Sequence, residues 1–572
     1  MSDLLNLCSL IQLFDSQCEK NYHTPFIHYD EEGLWKSATW GEVSQQSKSL
    51  SAVFASKGIR AGDRVLIIAN NSRDWVVTEL ATLRLNAILV AGYSQSPVNE
   101  WRHILQDSGA RILIADHQLS DALKILTQEF ESQLCLSLFI GSTDWETSTS
   151  NPITDLQPQS SIDLDNTVCL IYTSGTGGDS KGVMLSNKNI LNNCRGAAKV
   201  IEPYGLEGNR FLSILPFAHA YAHCADIWTP IYVGAQIFIC NDLKNLNANL
   251  QYAKPTIMNT IPRLWNVLRK QIISRMNGQG NLANQLFSLT LRLGAKKISG
   301  GKFNTVEKLL DSLCDLLVRK KIQAKLGNYL FGALVAGSPL SKEDSTFFAS
   351  LGINLHQAYG QTECGPGITM GELGLLTPGT VGPPMEGMDV KLAEDGEILV
   401  RGPNVMKGYW NEPELTAKVM VDGWLHTGDI GEWDENGLLI IQDRKKDLIK
   451  TSGSEMISPQ SIELKFNTFP DIDRVVVFGH GKSFLVALII PSVENITALK
   501  NQSIDFQSLE QKIDGVIKTV NNTLESKSRV KKFVLIPEEL SIIQGTMTPS
   551  LKVKRKKLYE LYSKEIEQLY VE

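Results

Sequence analysis

Short apolar runs alternate with helix-like stretches through the first half of this chain, and that alternation restricts the fold more than any other feature. Arg64-Val-Leu-Ile-Ile-Ala69 precedes a helical pattern that begins near Ser72-Arg-Asp-Trp75. Ile88-Leu-Val90, a second helical stretch from Glu100 to Leu105, and Arg111-Ile-Leu-Ile-Ala115 follow in turn. Such a repeat predicts a largely parallel sheet covered by helices. The pattern resumes further on, where Ser186 is placed to cap a helix starting at Asn187. Gln236-Ile-Phe-Ile239, Thr256-Ile-Met258, Phe331 to Val335 and Ile353 to Gln357 read as further strands.

At 572 residues the chain is too long for one core, so several domains are expected. From about Thr377 the texture changes to Gly, Pro and short alternating strands, Val390-Lys-Leu, Glu397-Ile-Leu-Val400 and Leu438-Leu-Ile-Ile441. After the charged segment Asp443-Arg-Lys-Lys-Asp447, strands such as Arg474-Val-Val-Val-Phe478 and Phe484 to Ile490 mix with helices. The fold class predicted is α/β: residues 1–376 as mostly parallel, helix-covered sheets, 377–442 as a small β-barrel-like subdomain, and 443–572 as a small α+β domain.

Composition removes several classes. Hydrophobic residues at 43% and charged residues at 21% are ordinary for a globular protein, and a net charge of -6 gives no reason to expect nucleic acid. Nine cysteines without a C-x-x-C pair fit reduced thiols and a cytoplasmic setting. No apolar run reaches the length that crosses a bilayer, and Met1 to Glu19 lacks the basic start of a signal peptide. Leu4, Leu5, Cys8, Ile11 and Phe14 fall at helical spacing and read as a core-facing helix.

Chemistry enters at Tyr172-Thr-Ser-Gly-Thr-Gly-Gly-Asp-Ser-Lys181-Gly-Val-Met-Leu-Ser186, directly after the β-type run Thr167 to Ile171. A strand that stops in a Gly/Ser/Thr loop exposes backbone N–H groups and hydroxyls, so a polyphosphate can approach and Lys181 can offset its charge. The loop is not a Walker A sequence, because Lys181 lies between Ser180 and Gly182 instead of before Ser or Thr. Much further on, Ala358-Tyr-Gly-Gln-Thr-Glu-Cys364 offers the Tyr359 ring to a purine face. It also places the Thr362 hydroxyl and the Glu363 carboxylate where a phosphate-bound Mg²⁺ needs oxygen ligands. Cys364 reads as a small spacer. His426-Thr-Gly-Asp429 supplies a carboxylate suited to a vicinal diol, and Arg444 adds a donor for the same sugar.

In this order the motifs resemble the acyl-adenylate-forming (AMP-binding) superfamily, which includes acyl-CoA synthetases, firefly-type luciferases and peptide-synthetase adenylation domains. The resemblance extends through Trp40-Gly-Glu-Val43, Gly58 to Val65, Val335-Ala-Gly-Ser-Pro-Leu340, Pro378 to Pro383, Gly402 to Trp410 and Lys552-Val-Lys-Arg555. Long-chain fatty acyl-CoA synthetases look most similar, on Leu215-Pro-Phe-Ala-His219, Asp443 to Lys450 and Met547 to Arg555.

Carried over residue by residue, the resemblance implies that Thr173, Ser174, Gly175, Thr176, Gly177 and Gly178, with Lys181, hold the phosphates of ATP. Gly337 and Ser338 line the adenine side, and Tyr359, beside Gly360, stacks on the base. Thr362 touches phosphate, and Glu363 with Thr173 binds Mg²⁺. Asp429 and Arg444 hold the ribose, Lys446 sits at the hinge of a mobile C-terminal domain, and Lys552 reaches the α-phosphate and the carboxylate. Lys552, Lys181 and Glu363 form the catalytic set.

The activity implied is ATP-dependent fatty acid–CoA ligation through acyl-AMP, with CoA as co-substrate. Transfer to an acyl carrier protein, a halt at the adenylate, a luciferase-like oxygenase and a silent nucleotide- or acyl-binding protein remain open. So do peripheral membrane contact and a homodimer. The chain departs from the family where Gly177 replaces Thr, Ser180 replaces Pro, Ser454 stands in a usual Gly-Gly pair, and Ala222 replaces an acidic residue. His219 lies in a motif near the acyl entrance and reads first as a packed, hydrogen-bonded histidine. Trp228 and Trp265 read as core residues, with gating of an acyl tunnel as the alternative.

Overall fold

Alternate residues of single strands belong to different cores, which is how the apolar runs are used. A computed structural model describes residues 9–150, 163–173, 180–548 and 552–571. In strand Arg64–Ile68, Val65 and Ile67 enter the main core whereas Leu66 and Ile68 enter a second core on the opposite face. Strands Ile88–Gly92, Ile112–Asp116 and Thr167–Thr173 divide their side chains in the same way. A strand buried on both faces must be apolar throughout, hence runs instead of alternation.

These strands build a seven-stranded sheet in the order Gly408–Tyr409, Lys181–Ser186, Thr167–Thr173, Ile88–Gly92, Arg64–Ile68, Ile112–Asp116, Leu136–Ile140. Its five last-named strands are mutually parallel, and the first two are antiparallel additions. An eight-stranded sheet runs Gly367–Met370, Leu355–Gly360, Gly332–Val335, Ile257–Thr260, Arg210–Ser213, Gln236–Ile239, Pro25–Glu31, Leu34–Thr39. Helix starts fall where their caps predict. Ser72 Oγ accepts from the Trp75 amide, and Ser186 forms a reciprocal capping box with Asn189. The N-terminal helix spans Leu10–Asn21 and buries Ile11 and Phe14; Leu4, Leu5 and Cys8 lie outside the described residues.

The expected strand from Ile353 starts instead at Leu355. Gly352 turns at φ +77°, and the Ile353 amide donates to Phe348 O, closing the end of helix Lys342–Ser350. Ile353 is apolar because it packs against that cap.

A third, five-stranded antiparallel sheet joins Asp389–Leu392, Glu397–Arg401, Trp424–Trp433, Met420–Val421 and Leu439–Arg444. It is the β-rich unit that the short strands predicted, and its last strand carries Asp443 and Arg444. Beyond it, strands Ile472–Phe478, Leu485–Pro491 and Val530–Leu535 form a three-stranded sheet with helices Pro459–Phe466 and Phe506–Asn521 in its core. No helix among the described residues is long and apolar enough to cross a membrane.

Eight of the parallel strands of the two large sheets end at one place. Asn70, Tyr93, Thr173, Leu215, Asn241, Ile261, Gly337 and Gln361, each at or just after a strand's carboxyl end, line a single cleft of about 2580 Å³ between the lobes.

Candidate active site

Thr173 and Lys181 pair as the last rung between antiparallel strands, so the Gly-rich loop springs from two fixed ends. Ser174, Gly175, Thr176, Gly177 and Gly178 lie outside the described residues. The ends are tied down: Tyr172 Oη donates to Asp107 Oδ2 at 2.6 Å, and His103 Nε2 donates to the Ser180 carbonyl at 2.7 Å. Ser180 Oγ is buried and has no hydrogen-bond partner among the described residues. That uncompensated hydroxyl suits an incoming anion.

Strand Gly408–Tyr409 pairs with the strand that Lys181 starts, which brings the Tyr409 ring to 5.7 Å from Lys181 Nζ. Tyr409 Oη donates to Glu363 Oε1 at 2.7 Å. Burial and the neighbouring carboxylate push the Tyr409 phenol up, so it stays a donor. Glu363 is further set by its own carbonyl, which accepts from the Met406 amide at 2.8 Å. Gly360 is needed just before this turn, because a Cβ there would run into the Pro366 carbonyl. Burial raises the Cys364 thiol well above its usual range, which removes it as a nucleophile.

Asp429 stands opposite Arg444 across the strand pair Trp424–Trp433 and Leu439–Arg444. Arg444 Nε lies 3.1 Å from Asp429 Oδ1, and Tyr359 Oη donates to Oδ2 at 2.7 Å. Each carboxylate oxygen keeps a further lone pair for a sugar hydroxyl. Lys446 also faces the cleft, its amine lowered by burial and by Arg444. Lys445 points the other way. Its amine bridges Asp395 at 2.6 Å and Glu397 at 2.8 Å, and Glu397 in turn accepts from the Gly428 amide at 3.0 Å.

Lys552 comes from the small lobe, on a hairpin in which Met547 bridges Val553 and the Thr548 amide donates to Lys552 O. Arg555 staples the hairpin's base, bonding Glu463 at 2.7 and 3.1 Å and the Val477 carbonyl at 2.7 Å. The Lys552 side chain lines the cleft and keeps accessible surface. Desolvation in the cleft, with repulsion from Arg444, lowers it to about 8 against the pull of Asp429 and Glu363. His219 also lines the cleft. Its Nδ1 accepts from the Tyr221 amide, and burial plus the Lys552 charge lower it to about 4, so it is neutral and caps a turn.

Thus every described residue of the expected set, Thr173, Lys181, His219, Gly337, Ser338, Tyr359, Gly360, Thr362, Glu363, Asp429, Arg444, Lys446 and Lys552, faces the same cleft. Gly337 turns at φ +84°, a conformation that favours glycine. The tryptophans do not face it. Trp228 is buried with its indole N–H on Glu79 Oε1, and Trp265 bonds Thr260 Oγ1, so tunnel gating by either is set aside. An apolar wall of the cleft is formed instead by Tyr221, Cys224 and Ala225 with Leu264, Val267 and Leu268.

The sequence reading missed Tyr409, Lys445 and the contact between Arg263 and Asp473 that links the lobes. Tyr409 had a signal, since it lies within Gly402 to Trp410. The others are ordinary charged residues whose partners lie far away in the chain.

Chemically, the cleft presents cations from two lobes and two carboxylates, an arrangement that stabilises charge on a transferring phosphoryl group. Among the described residues no cluster of three or more His, Cys, Asp or Glu is placed to cage a metal. A Mg²⁺ carried on nucleotide phosphates would need only one or two carboxylates from the protein. Glu363 leaves Oε2 for that purpose.

Residues 14–410 match the family described as AMP-binding enzyme, and residues 446–572 match the AMP-binding enzyme C-terminal domain. The chain is 28% identical over 561 residues to a long-chain-fatty-acid–CoA ligase of Mycobacterium bovis, covering 94% of this chain and 93% of that protein. It is 30% identical over 595 residues to long-chain-fatty-acid–CoA ligase 5 of Rattus norvegicus, covering 94% and 84% respectively. The adenylation domain of a carboxylate reductase from Mycobacterium chelonae superimposes with a TM-score of 0.77 at 19% identity, covering 100% of this chain and 93% of that one.

Proposed function

The chain belongs to the AMP-binding enzyme family, and on that premise we propose that it joins a long-chain fatty acid to coenzyme A through an acyl-adenylate. The observation that carries this reading is the convergence of Lys181 from the large lobe and Lys552 from the small lobe on the cleft that holds Glu363 and Asp429. The relatives named as long-chain-fatty-acid–CoA ligases and the apolar wall beside His219 support the acyl class.

In the first half-reaction a carboxylate oxygen of the acid attacks the α-phosphorus of ATP, and the bond to pyrophosphate breaks. Two anions must meet, so aimed cations are the main lever. Lys552 neutralises the attacking carboxylate and the α-phosphate. Lys181 and the Thr173–Gly178 loop hold the departing pyrophosphate. Thr362 contacts phosphate, while Glu363 and Thr173 would hold Mg²⁺, which adds positive charge at the leaving group. Gly337, Ser338 and Gly360 line the base site, Tyr359 stacks on the purine, and Asp429 with Arg444 grips the ribose. His219 is too weak a base to matter, and the fatty acid is already ionised.

In the second half-reaction the CoA sulfur attacks the acyl carbonyl, AMP leaves and the thiol proton passes to solvent. The small lobe, residues 443–572, would turn about the segment at Lys446 and withdraw Lys552. The test is pyrophosphate release with acids of increasing length, with and without CoA. Release that rises with chain length, and acyl-CoA formed only with CoA, are expected. No release with any fatty acid would contradict the reading, and adenylate that ignores CoA would redirect it to a carrier-protein acceptor.

A further inference from the structure

Helix Thr305–Cys314 continues through Asp315–Arg319 into Lys320–Lys325, and it wastes its apolar residues on solvent. Val306 is 65% exposed, Leu309 73% and Leu316 58%, with Leu313 and Leu317 also exposed. The spacing of three, four and three residues puts them on one stripe. The opposite face is ordinary core, where Cys314 and Val318 are buried and Val318 shares a cluster with Trp265 and Phe348. A second, solvent-facing leucine stripe on a helix whose other face is already buried is the kind of exposed apolar patch that marks an interaction surface.

Charge says which partner. Residues 292–325 carry nine basic and three acidic side chains, in a chain whose net charge is -6. All three acids are already matched within this segment, Glu307 to Lys296 at 2.6 Å, Asp311 to Arg319 at 2.6 Å and Asp315 to Arg319 at 3.9 Å. Lys302, Lys308, Lys320 and Lys321 are exposed and make no ion pair among the described residues. Leucines flanked by uncompensated lysines suit the headgroup boundary of an anionic bilayer, where the stripe meets acyl chains and the lysines meet phosphates. The chain reaches this segment from helix Pro262–Asn277 through helix Asn281–Ile298, and Leu264, Val267 and Leu268 of the former line the cleft.

We propose that the 305–321 face is a membrane-docking surface, by which the enzyme sits on anionic lipid and takes its acyl substrate from the bilayer. The role of docking in substrate supply rests on the fatty-acyl reading above, but the docking itself does not. A long-chain acid partitions strongly into lipid, at about 0.8 kcal/mol per buried CH₂, so an enzyme acting on it gains by meeting it there.

The experiment is flotation of the full chain with vesicles of phosphatidylcholine alone or with added phosphatidylglycerol, at low and high salt. The wild type should float with the anionic vesicles and be released by salt. The paired variant Leu309→Glu, Leu313→Glu should lose at least about tenfold in partitioning, and Lys320→Glu with Lys321→Glu about fivefold per lysine. Both should keep wild-type pyrophosphate release on a short, water-soluble acid, which separates docking from folding and from the proposed chemistry. Equal flotation of the leucine variant overturns the proposal. So does a wild type that ignores both vesicles but sediments as a dimer that the leucine variant breaks, since the stripe would then cover a second copy.

Discussion

Tyr409 donates a 2.7 Å hydrogen bond to Glu363 while its ring lies 5.7 Å from the Lys181 amine, so one side chain contacts both the carboxylate proposed to hold Mg²⁺ and the cation proposed to face the phosphates. Tyr409→Phe keeps the ring and removes the bond. Loss of a hydrogen bond to a charged group, about 1.5–3 kcal/mol, predicts a fall of at least about tenfold in pyrophosphate release. The Mg²⁺ titration should move to higher concentration. A slower enzyme with an unmoved metal titration would show that Tyr409 does not act through Glu363.

The lobes are held in this arrangement by Asp473. It pairs with Arg263 of the large lobe, whose Nη1 also reaches the Asp473 carbonyl at 3.3 Å, and Lys270 donates to the Ile472 carbonyl at 2.7 Å. Arg474 lies on the other side of the same carboxylate, lowered to about 10 by burial and by Arg263. Asp473→Asn leaves two arginines facing each other. Adenylation should fall about tenfold, whereas thioester formation from supplied acyl-AMP should hold or rise. Equal loss in both half-reactions would mean that Asp473 only stabilises the fold.

Much of this architecture was legible locally. Ser72 and Ser186 announced their helices because a cap is a contact across three residues. The motifs assigned Asp429 and Arg444 to one sugar, and the strand pair sets them opposite each other. The bond of Tyr359 to Asp429 spans 70 positions and that of Arg263 to Asp473 spans 210, so neither leaves a local pattern to read. Lys445 and Lys446 illustrate the limit. The two are adjacent and alike in sequence, yet one anchors to Asp395 and Glu397 and the other lines the cleft. The exposed apolar stripe from Val306 to Leu317 has the spacing of a core-facing helix, so periodicity alone does not say that it meets solvent.

In the proposed reaction Lys552 must carry charge to neutralise the reacting anions, and its amine is lowered to about 8 where it lines the cleft. The charged form is present below that value and lost above it. Therefore kcat/KM for pyrophosphate release should fall as pH rises through about 8. Lys552→Arg keeps the charge at all accessible pH, so its falling limb should disappear or move well upward even if its rate is lower. A limb unmoved in Lys552→Arg would assign the titration to another group.

The most direct measurement separates the two half-reactions in Lys552→Ala. Pyrophosphate release from ATP and a fatty acid should drop by at least about a hundredfold, in the range that preorganised charge contributes to such steps. Acyl-CoA formation from supplied acyl-AMP and CoA should stay near wild type, because the proposed turn of the small lobe withdraws Lys552 before that step. Pyrophosphate release at the wild-type rate would contradict the convergence of two lobes on one nucleotide.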